Sequence, residues 1–537
     1  MPTHRFAMQH CAAEWSHASG KAYADPGNEI ELDVVITDPA GQARRVPAYW
    51  AGDHEWRVRY APPATGRYTF RTVCSDAGNA ALHAQEGTLE VGPYTGSNPL
   101  LKHGPVHVAP DRRHFQHADG TPFLWLGDTW WMGLCQRLHW PDEFQWLTAD
   151  RVAKGFNVIH LVAGLYPDMP AFDPRGFNEA GHPWQPEYAR LNPAYFDMAD
   201  LRLQWLVRAG LMPAVVGCWG YHLPWLGLDR MKQHWRNLIA RWSAYPVTWI
   251  MAGEATMPYY LAEDKPAAAA TQRQGWTELA RYVRELDPAG HPLTLHPSDT
   301  ARNTVTDPTV MDYDMLQTGH GGAGSIPNTV QRVTASLAAE PVMPVVNGEV
   351  CYEGILEGSR EEIQRFMFWS NMLVGARGFT YGANGIWQVN RGDAPYGPSP
   401  HGASWGDRPW DEAARLPGSR QLGIARQLLE RYPWWSFESH PEWLDPHATP
   451  DTDPGGNYAA GIPGEVRVLY FHQPLAPWRG LPVVKELVTD GAYRAFWFDP
   501  RTGAEHALPE VQGHRGDWQV PMPPTMADWV LVLERCR

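Results

Sequence analysis

Two glutamates stand where a pair of carboxylates could do acid–base chemistry. Glu254 follows the apolar run WIMAG and Glu349 follows VVNG, so each comes directly after a predicted buried strand and a glycine. A charged side chain at the end of a buried strand is costly unless it is used. Hydrolysis of a glycosidic bond needs such a pair, one carboxyl group to protonate the departing oxygen and one carboxylate to attack the sugar or activate water. The alternative is that both are ordinary charged loop residues.

Other chemistries fit the sequence less well. Glu353 is a second candidate for the catalytic carboxylate assigned to Glu349, but it lies four residues further into the following loop. Metal-dependent barrels usually carry an H-x-H pair on their first strand, where this chain has Asp128, and the motif H-E-x-x-H is absent. We therefore expect neither a metal ion nor another cofactor.

An alternation of strands and helices must position these residues. Apolar runs typical of buried parallel strands begin at Pro122, Phe156, Leu211, Val247, Pro292, Val310, Val342 and Ala376. Segments of helical period, such as DRMKQHWRNLIARWSAY and REEIQRFMFWSNMLVG, separate them, and GSRQLGIARQLLERY follows the last. Eight such units predict an α/β fold, a (β/α)8 TIM barrel. The alternative is a doubly wound open sheet, but no G-x-G-x-x-G turn follows the first strand.

The segments on either side of the barrel read as short strands. Runs such as EIELDVVITD and EWRVRYAPPATGRYTFRTVCS predict an N-terminal Ig-like β-sandwich over residues 1–97, and the stretch from Gly92 to Pro105 resembles a linker. The catalytic barrel is predicted over 98–435. EVRVLYFHQP, ELVTDGAYRAFWFDPRTGAE and DWQVPMPPTMADWVLVLER predict a C-terminal antiparallel β-domain over 436–537.

The composition narrows the class of partner. With 537 residues the chain should form two to four domains, and its net charge of −14 argues against nucleic acid and anionic membranes. Its 27 tryptophans hint at carbohydrate, because indole rings stack well on sugars. The six cysteines show no C-x-x-C spacing, no run is long enough to span a bilayer, and no signal peptide is visible, so we expect free thiols and a cytoplasmic location.

In TIM barrels the reactive groups project from the C-terminal ends of the strands. Besides the two glutamates, this rule points to further residues, among them His320 at the end of the sixth strand, and eight of these residues are substrate-binding candidates. They are Asp128, Trp130, His160, Trp219, His296, Gln317, Tyr381 and Trp387. The polar members are expected to hold sugar hydroxyls and the three tryptophans to wall the sugar ring, with a place in the core as the alternative for each aromatic residue.

Five motifs in this order resemble the DUF4038 family of apiosidase-like glycoside hydrolases: PFLWLGDTWW, GFNVIHL, WIMAGE, NGEVCYEG and RGFTYGANGIWQ. The region VPAYWAGDHEWRVRYAPPATGRYTFRT resembles DUF5060, and the tail with FWFDPRTGAEHALP resembles a collagen-binding-type β-domain. The resemblance implies Glu254 as acid/base and Glu349 as nucleophile, although many relatives carry Asp at the position of Glu254. Sugar specificity is expected in the loops 166–190 and 388–407.

The residues and the resemblance together predict a retaining exo-glycosidase that acts on an oligosaccharide or glycoside. A barrel that binds carbohydrate without cleaving it is the first alternative, and a metal-dependent barrel hydrolase is the second. The intact pair of carboxylates, Glu254 and Glu349, favours the enzyme over the binding protein.

Overall fold

The computed structural model describes residues 3–472, 481–513 and 516–536. It begins with a β-sandwich, whose elements are β1 (Thr3–Met8), β2 (Ala13–Ala18), α1 (Pro26–Glu29), β3 (Leu32–Thr37), β4 (Ala43–Pro47), β5 (Tyr49–Gly52), β6 (Glu55–Tyr60), β7 (Gly66–Cys74) and β8 (Glu86–Gly92). The strands form two sheets, ordered β1-β8-β7-β3-β4 and β2-β6-β5. Alternate residues of the strands face inward, so Leu32, Val34 and Ile36 are buried in the sandwich core.

The segment predicted as a linker is instead partly structured. It contains α2 (Pro99–Lys102), which Asn98 caps by accepting a hydrogen bond from the backbone N–H of Leu100. A small sheet follows, made of β9 (Val106–Val108), β10 (Phe115–His117) and β11 (Pro122–Phe123). Phe115 of this sheet packs against Trp125 and Tyr313 inside the barrel, with ring centroids 5.6 and 5.3 Å apart.

Eight parallel strands form the barrel, which confirms the predicted fold class. They are β12 (Trp125–Thr129), β13 (Val158–Val162), β14 (Met212–Val216), β15 (Thr248–Ile250), β16 (Leu293–Thr294), β17 (Asp314–Gln317), β18 (Val345–Glu349) and β19 (Gly378–Tyr381). The sheet runs from β16 back to β12 and on through β19 to β17. The two end strands, β16 and β17, are not paired as a ladder, but hydrogen bonds connect their segments and close the barrel. Asp312 N–H donates to Leu293 O at 2.8 Å, and the Thr294 hydroxyl donates to Tyr313 O at 2.7 Å.

Helices cover the outside of the barrel, as near-continuous apolar strands require. They are α3 (Asp142–Ala153), α4 (Pro193–Arg208), α5 (His222–Trp242), α6 (Lys265–Leu286), α7 (Ile326–Ala338), α8 (Glu361–Val374), α9 (Trp410–Ala413) and α10 (Pro417–Leu429). Between β16 and β17 the chain makes two 3₁₀ turns, Ala301–Thr304 and Pro308–Val310, in place of an α-helix. Of the described helices, none combines the length and the apolar content needed to cross a lipid bilayer.

The C-terminal domain is a β-structure that packs on α8. Its elements are β20 (Glu438–Ser439), β21 (Leu444–Asp445), β22 (Tyr458–Ile462), β23 (Val466–Phe471), β24 (Val483–Val484), β25 (Ala492–Phe498), β26 (Glu505–Ala507), β27 (Val511–Gln512), β28 (Trp518–Gln519) and β29 (Trp529–Arg535). Phe366 of α8 contacts the rings of Tyr458 and Tyr470. Gln473 and Pro474, the end of the predicted run EVRVLYFHQP, lie outside the described residues.

Buried ion pairs join the barrel to both flanking domains. Arg59 of the sandwich donates to Asp200 of α4 at 2.7 Å, and both side chains are 5% exposed. Arg365 of α8 donates two hydrogen bonds, of 2.7 and 2.6 Å, to Asp528 of the C-terminal domain. Bidentate pairs of this kind fix orientation as well as contact, so the flanking domains hold defined positions on the barrel.

Candidate active site

A cavity of about 110 Å³ opens at the C-terminal ends of the barrel strands. Three carboxylates line it, those of Asp168, Glu254 and Glu349, and no Arg or Lys of the described chain does. Its aromatic lining consists of Trp131, Trp219, Tyr260, Tyr352, Trp387 and Trp405.

Glu349 is the last residue of β18 and is 5% exposed. His320 Nε2 donates a hydrogen bond of 2.8 Å to Oε1, and His296 Nε2 lies 3.2 Å from Oε2. Burial alone would raise the pKa of Glu349, but these two imidazoles hold that pKa well below its usual range. The preceding residue must be small, because a Cβ on Gly348 would lie 2.5 Å from Met315 Cγ.

Glu254 follows β15 and has a φ of +38°, a left-handed conformation that non-glycine residues adopt chiefly at functional sites. Trp219 Nε1 donates to its Oε2 at 3.2 Å, and Gln317 Nε2 donates to its Oε1 at 3.1 Å. Burial raises the pKa of Glu254 and the negative charge of Glu349 raises it further, while the two donors oppose this in part. A Cβ on Gly253 would clash with the Trp219 ring at 2.2 Å, so glycine lets the indole reach Glu254.

The pKa values of the two carboxyl groups in this cavity are therefore shifted in opposite directions. Glu349 is held in the ionised form, and Glu254 retains its proton to a higher pH than an ordinary glutamate. Such a divergence between neighbouring carboxyl groups is how a site assigns one group as acid and the other as base or nucleophile.

Three of the eight predicted substrate-binding residues line the same cavity as the two glutamates: Trp219, Gln317 and Trp387. Trp219 and Gln317 also hold Glu254 directly. The Trp387 indole stacks with Tyr352, with centroids 6.2 Å apart and planes 23° from parallel. The strand-end rule thus brings these three residues and the glutamates together.

Asp128 and Trp130 lie behind the cavity wall, which corrects the expectation that they touch sugar. Asp128 forms a fully buried ion pair with Arg151 of α3 and also accepts a 2.7 Å hydrogen bond from Trp130 Nε1. Neither residue is exposed, and their polar atoms bind each other and Arg151. Both are therefore structural residues beneath the site.

His160, His296 and Tyr381 are likewise fully buried, and the same correction applies to them. His160 Nε2 is 3.2 Å from the Thr380 hydroxyl, and burial followed by the charge of His296 lowers the pKa of His160 to about 3. Tyr381 donates its hydroxyl hydrogen to Glu353. His296 contacts Glu349 from behind and so acts on the carboxylate, not on the cavity.

Comparison with known proteins gives the family. Residues 109–436 match the family described as apiosidase-like, catalytic domain, and residues 7–75 match DUF5060, a domain of unknown function. The chain belongs to the apiosidase-like family. A comparison with curated proteins finds no match. The resemblance of the C-terminal domain to a collagen-binding-type domain stays a prediction.

Solved structures share the fold of this apiosidase-like protein. One, described as a glycoside hydrolase, is 21% identical with a TM-score of 0.64 and covers 82% of this chain and 98% of its own. A glycoside hydrolase family 5 protein from Bacteroides vulgatus ATCC 8482 is also 21% identical, with a TM-score of 0.66, and covers 82% and 95%. Another B. vulgatus ATCC 8482 structure, at 17% identity and a TM-score of 0.68, covers 99% of this chain and 100% of its own.

The structure of this apiosidase-like protein also separates Glu349 from its competitor, Glu353. Glu353 is 1% exposed and lies outside the cavity, where it binds Tyr381 and the backbone N–H of Gly418. Burial raises the pKa of Glu353 to about 7, although these two donors lower it. Glu353 is therefore a buried acid outside the cavity, and Glu349 is the one of the two that lines it.

The eight substrate-binding candidates omit several cavity residues of the apiosidase-like barrel. Trp131 lines the cavity in place of its neighbour Trp130, and its Nε1 donates to the Tyr352 hydroxyl at 2.9 Å. His320 was visible at the end of the sixth predicted strand and binds Glu349. Asp168 lies in a long loop without a periodic pattern, so only the placement of that loop near the site could have indicated it.

Other features of the molecule lack the chemistry of this site. A larger cavity of about 280 Å³ lies between the sandwich and the barrel, but no carboxylate of the described residues lines it. The run 402–406, GASWG, fits the G-x-S-x-G pattern of serine hydrolases, yet it lies in a loop with no strand before it. Within the described ranges, no three His, Cys, Asp or Glu side chains converge as a metal site would require.

Proposed function

We propose that the protein is a retaining exo-glycosidase that releases a terminal sugar from an oligosaccharide or glycoside. The observation that carries the proposal is the pair Glu254 and Glu349, which share one cavity and have pKa values shifted in opposite directions. A nucleophile must be ionised and a general acid protonated at the same pH. The environments of Glu349 and Glu254 favour these two states.

In the first step Glu349 attacks the anomeric carbon. Its Oε1 accepts a hydrogen bond from His320 and its Oε2 lies 3.2 Å from His296 Nε2, so the two imidazoles orient the attacking carboxylate. As the bond between the sugar and the leaving group breaks, the proton of Glu254 passes to the departing oxygen. The sugar is left as an ester on Glu349.

In the second step the ionised Glu254 takes a proton from a water molecule, whose oxygen attacks the anomeric carbon and releases Glu349. The surroundings of Glu254 must therefore stabilise its carboxyl group both with and without the proton. Gln317 suits this requirement, because its Nε2 donates to the carboxylate while its own Oε1 is buried without a partner. A half-turn of the amide would present Oε1 to the protonated acid.

The size and lining of the cavity support exo action on a single terminal sugar. Its volume of about 110 Å³ suits one sugar ring better than several. Trp131 and Trp219 contact each other with ring centroids 5.5 Å apart, and both face the cavity, so they offer an apolar wall to the sugar.

A panel of aryl glycosides that includes furanosides tests the proposal. We expect at least one to be hydrolysed with retained configuration, followed by NMR of the first product. Glu349→Ala should abolish hydrolysis, and Glu254→Ala should reduce it about 10²–10⁴-fold for leaving groups that need a proton. Glu357→Gln is the matched control, because Glu357 is an exposed carboxylate in the loop that follows Glu349.

Sugar affinity without turnover of any aryl glycoside would overturn the proposal in favour of a carbohydrate-binding barrel. Loss of activity on addition of EDTA, with recovery on addition of a divalent metal, would instead favour a metal-dependent hydrolase. Full activity of Glu349→Ala would remove this residue from the reaction.

A further inference from the structure

Asp168 is a carboxylate in the cavity wall that the proposed mechanism does not use. It lies in the loop after β13 and is 3% exposed. Its φ of +62° is in the left-handed region, which Asp and Asn tolerate better than most residues with a side chain. A buried charged residue in this conformation persists only where its surroundings fix it, and such residues cluster at ligand sites.

The loop after β19 fixes one oxygen of this carboxylate. The Ser399 hydroxyl donates to Asp168 Oδ1, and Trp405 Nε1 donates to the Ser399 hydroxyl at 3.1 Å. Asp168 belongs to the loop 166–190, and Ser399 and Trp405 belong to the loop 388–407. The two loops in which the sequence predicts sugar specificity therefore meet at this carboxylate.

The other oxygen of Asp168 is incompletely satisfied. Oδ2 is buried, and no hydrogen bond of good geometry reaches it from the described residues. Burial raises the pKa of Asp168, whereas hydrogen bonding from the hydroxyls of Ser399 and Tyr260 opposes the shift. A buried carboxylate oxygen whose hydrogen bonding is incomplete is costly. Because Asp168 lines the cavity, a ligand there can supply a further donor to its carboxylate.

The charges around the cavity indicate what kind of ligand supplies the donor. Asp168, Glu254 and Glu349 are the acidic groups of its lining, and no Arg or Lys of the described chain joins them. Arg175, whose charge acts on Asp168, is already bound to Asp173 by hydrogen bonds of 2.9 and 2.8 Å. A sugar with its own carboxylate would meet repulsion here, whereas a neutral sugar offers hydroxyl donors.

We propose that Asp168 binds a hydroxyl of the terminal sugar through Oδ2 and so sets the specificity of the site for a neutral sugar whose hydroxyl is free at that position. This rests on the proposed function, since the sugar in the cavity is the one that Glu349 attacks. A hydroxyl that carries a further sugar cannot donate, so the same contact restricts cleavage to chain ends.

The test compares Asp168→Asn with wild type on the best aryl glycoside and on its monodeoxy analogues. Asn keeps the size of the side chain, tolerates the positive φ and can still accept from Ser399, but it turns an NH₂ group towards the cavity. We expect kcat/KM on the parent glycoside to fall about 10- to 150-fold, the worth of a hydrogen bond to a charged group, mainly through KM. For wild type, kcat/KM on one monodeoxy analogue should be lower than on the parent glycoside by a similar factor. Asp168→Asn should cleave that analogue nearly as well as it cleaves the parent glycoside.

Glu187→Gln is the matched control, because Glu187 is exposed in the same loop and the substitution removes the same charge. The proposal is overturned if Asp168→Asn behaves as this control does, or if its kcat/KM falls by the same factor on every analogue, as expected for a structural residue.

Should Asp168→Asn not fold, Ser399→Ala takes its place, since it removes the hydrogen bond that holds the carboxylate and should weaken discrimination against the same analogue. If wild type cleaves no glycoside, the proposed function fails and this proposal with it; if wild type cleaves and only the Asp168 result fails, the proposed function stands.

Discussion

The imidazole of His320 donates a hydrogen bond of 2.8 Å to Oε1 of Glu349. The side chain of His320 is 24% exposed, whereas that of Glu349 is 5% exposed, so the histidine covers the carboxylate from the solvent side. On the inner side His296 completes the support at 3.2 Å from Oε2. A buried carboxylate is thereby kept ionised in a cavity that also contains Glu254, whose pKa is raised.

Replacing His320 should therefore move the acid limb of the pH–rate profile. His320→Ala removes a donor that favours the ionised form, so the pKa of Glu349 should rise. Because activity requires ionised Glu349, the acid limb of kcat/KM should shift upward by about one to two pH units, the equivalent of a charge-assisted hydrogen bond. His320→Gln, which retains an N–H donor, should recover part of the shift. An acid limb that stays in place in His320→Ala would show that Glu349 does not control it.

Gln317 offers the complementary experiment on the basic limb. Its hydrogen bond to Glu254 lowers the pKa of that carboxyl group, so Gln317→Leu should raise it. Because the acid must be protonated, the basic limb of kcat/KM should move upward by about one pH unit while the acid limb stays in place. Glu254→Gln is the reference variant, in which the basic limb should flatten. A basic limb that persists in Glu254→Gln would assign the acid role to another group.

Asp128 should prove to be a stabilising residue and not a sugar ligand. Asp128 and Arg151 form an ion pair in which neither side chain is exposed. Removing one partner leaves a buried charge without compensation, so Asp128→Ala should lower the free energy of unfolding by about 3–5 kcal/mol in urea denaturation followed by tryptophan fluorescence. Asp411→Ala breaks the exposed pair with Arg415 and should cost less than about 1 kcal/mol.

Kinetics separate this structural role from binding. At a temperature where Asp128→Ala is folded, KM should match that of wild type, because Asp128 does not line the cavity. A raised KM with unchanged stability would restore the original expectation that Asp128 holds a sugar hydroxyl.

The strand ends of the barrel were the part of the site that the sequence could indicate. Each strand is a short apolar run, and a polar residue just beyond it must face the mouth of the barrel or a buried partner. Gln317 and Trp219 face the cavity at the mouth of the barrel, whereas Asp128 and His160 face buried partners. The pattern alone does not distinguish them, because the partner of Asp128 is Arg151 on a helix 23 positions along the chain.

The remaining cavity residues depend on packing between segments distant in sequence. Trp130 and Trp131 are adjacent and identical in type, and only the direction of each side chain decides which one faces the cavity. Asp168 is fixed by Ser399, 231 positions away, through two loops that have no periodic pattern of their own. The helix expected after β16 is replaced by 3₁₀ turns in a segment that contains Pro297 and Pro308, which interrupt helical hydrogen bonding.

The stereochemistry of the reaction distinguishes the roles of the two glutamates most sharply. With Glu349 as nucleophile and Glu254 as acid/base, their carboxyl groups should act from a separation of about 5–5.5 Å and the product should retain its configuration. Glu254→Ala should still form the glycosyl ester from an aryl glycoside whose leaving group needs no proton, and should then stall because no base activates water. Added azide needs no base and fits the space left by the side chain, so it should release a glycosyl azide of retained configuration, identified by NMR.

Glu349→Ala provides the opposite case, because it cannot form the ester. Azide attacking the substrate directly in the space left by Glu349 would give a glycosyl azide of inverted configuration. A glycosyl azide of retained configuration from Glu349→Ala, with none of retained configuration from Glu254→Ala, would therefore reverse the two roles. Inversion by the wild-type enzyme would instead mean that one carboxylate activates water directly, which requires a separation of about 6.5–9.5 Å between the two carboxyl groups. The same two variants thus separate retention with these roles, retention with reversed roles, and inversion.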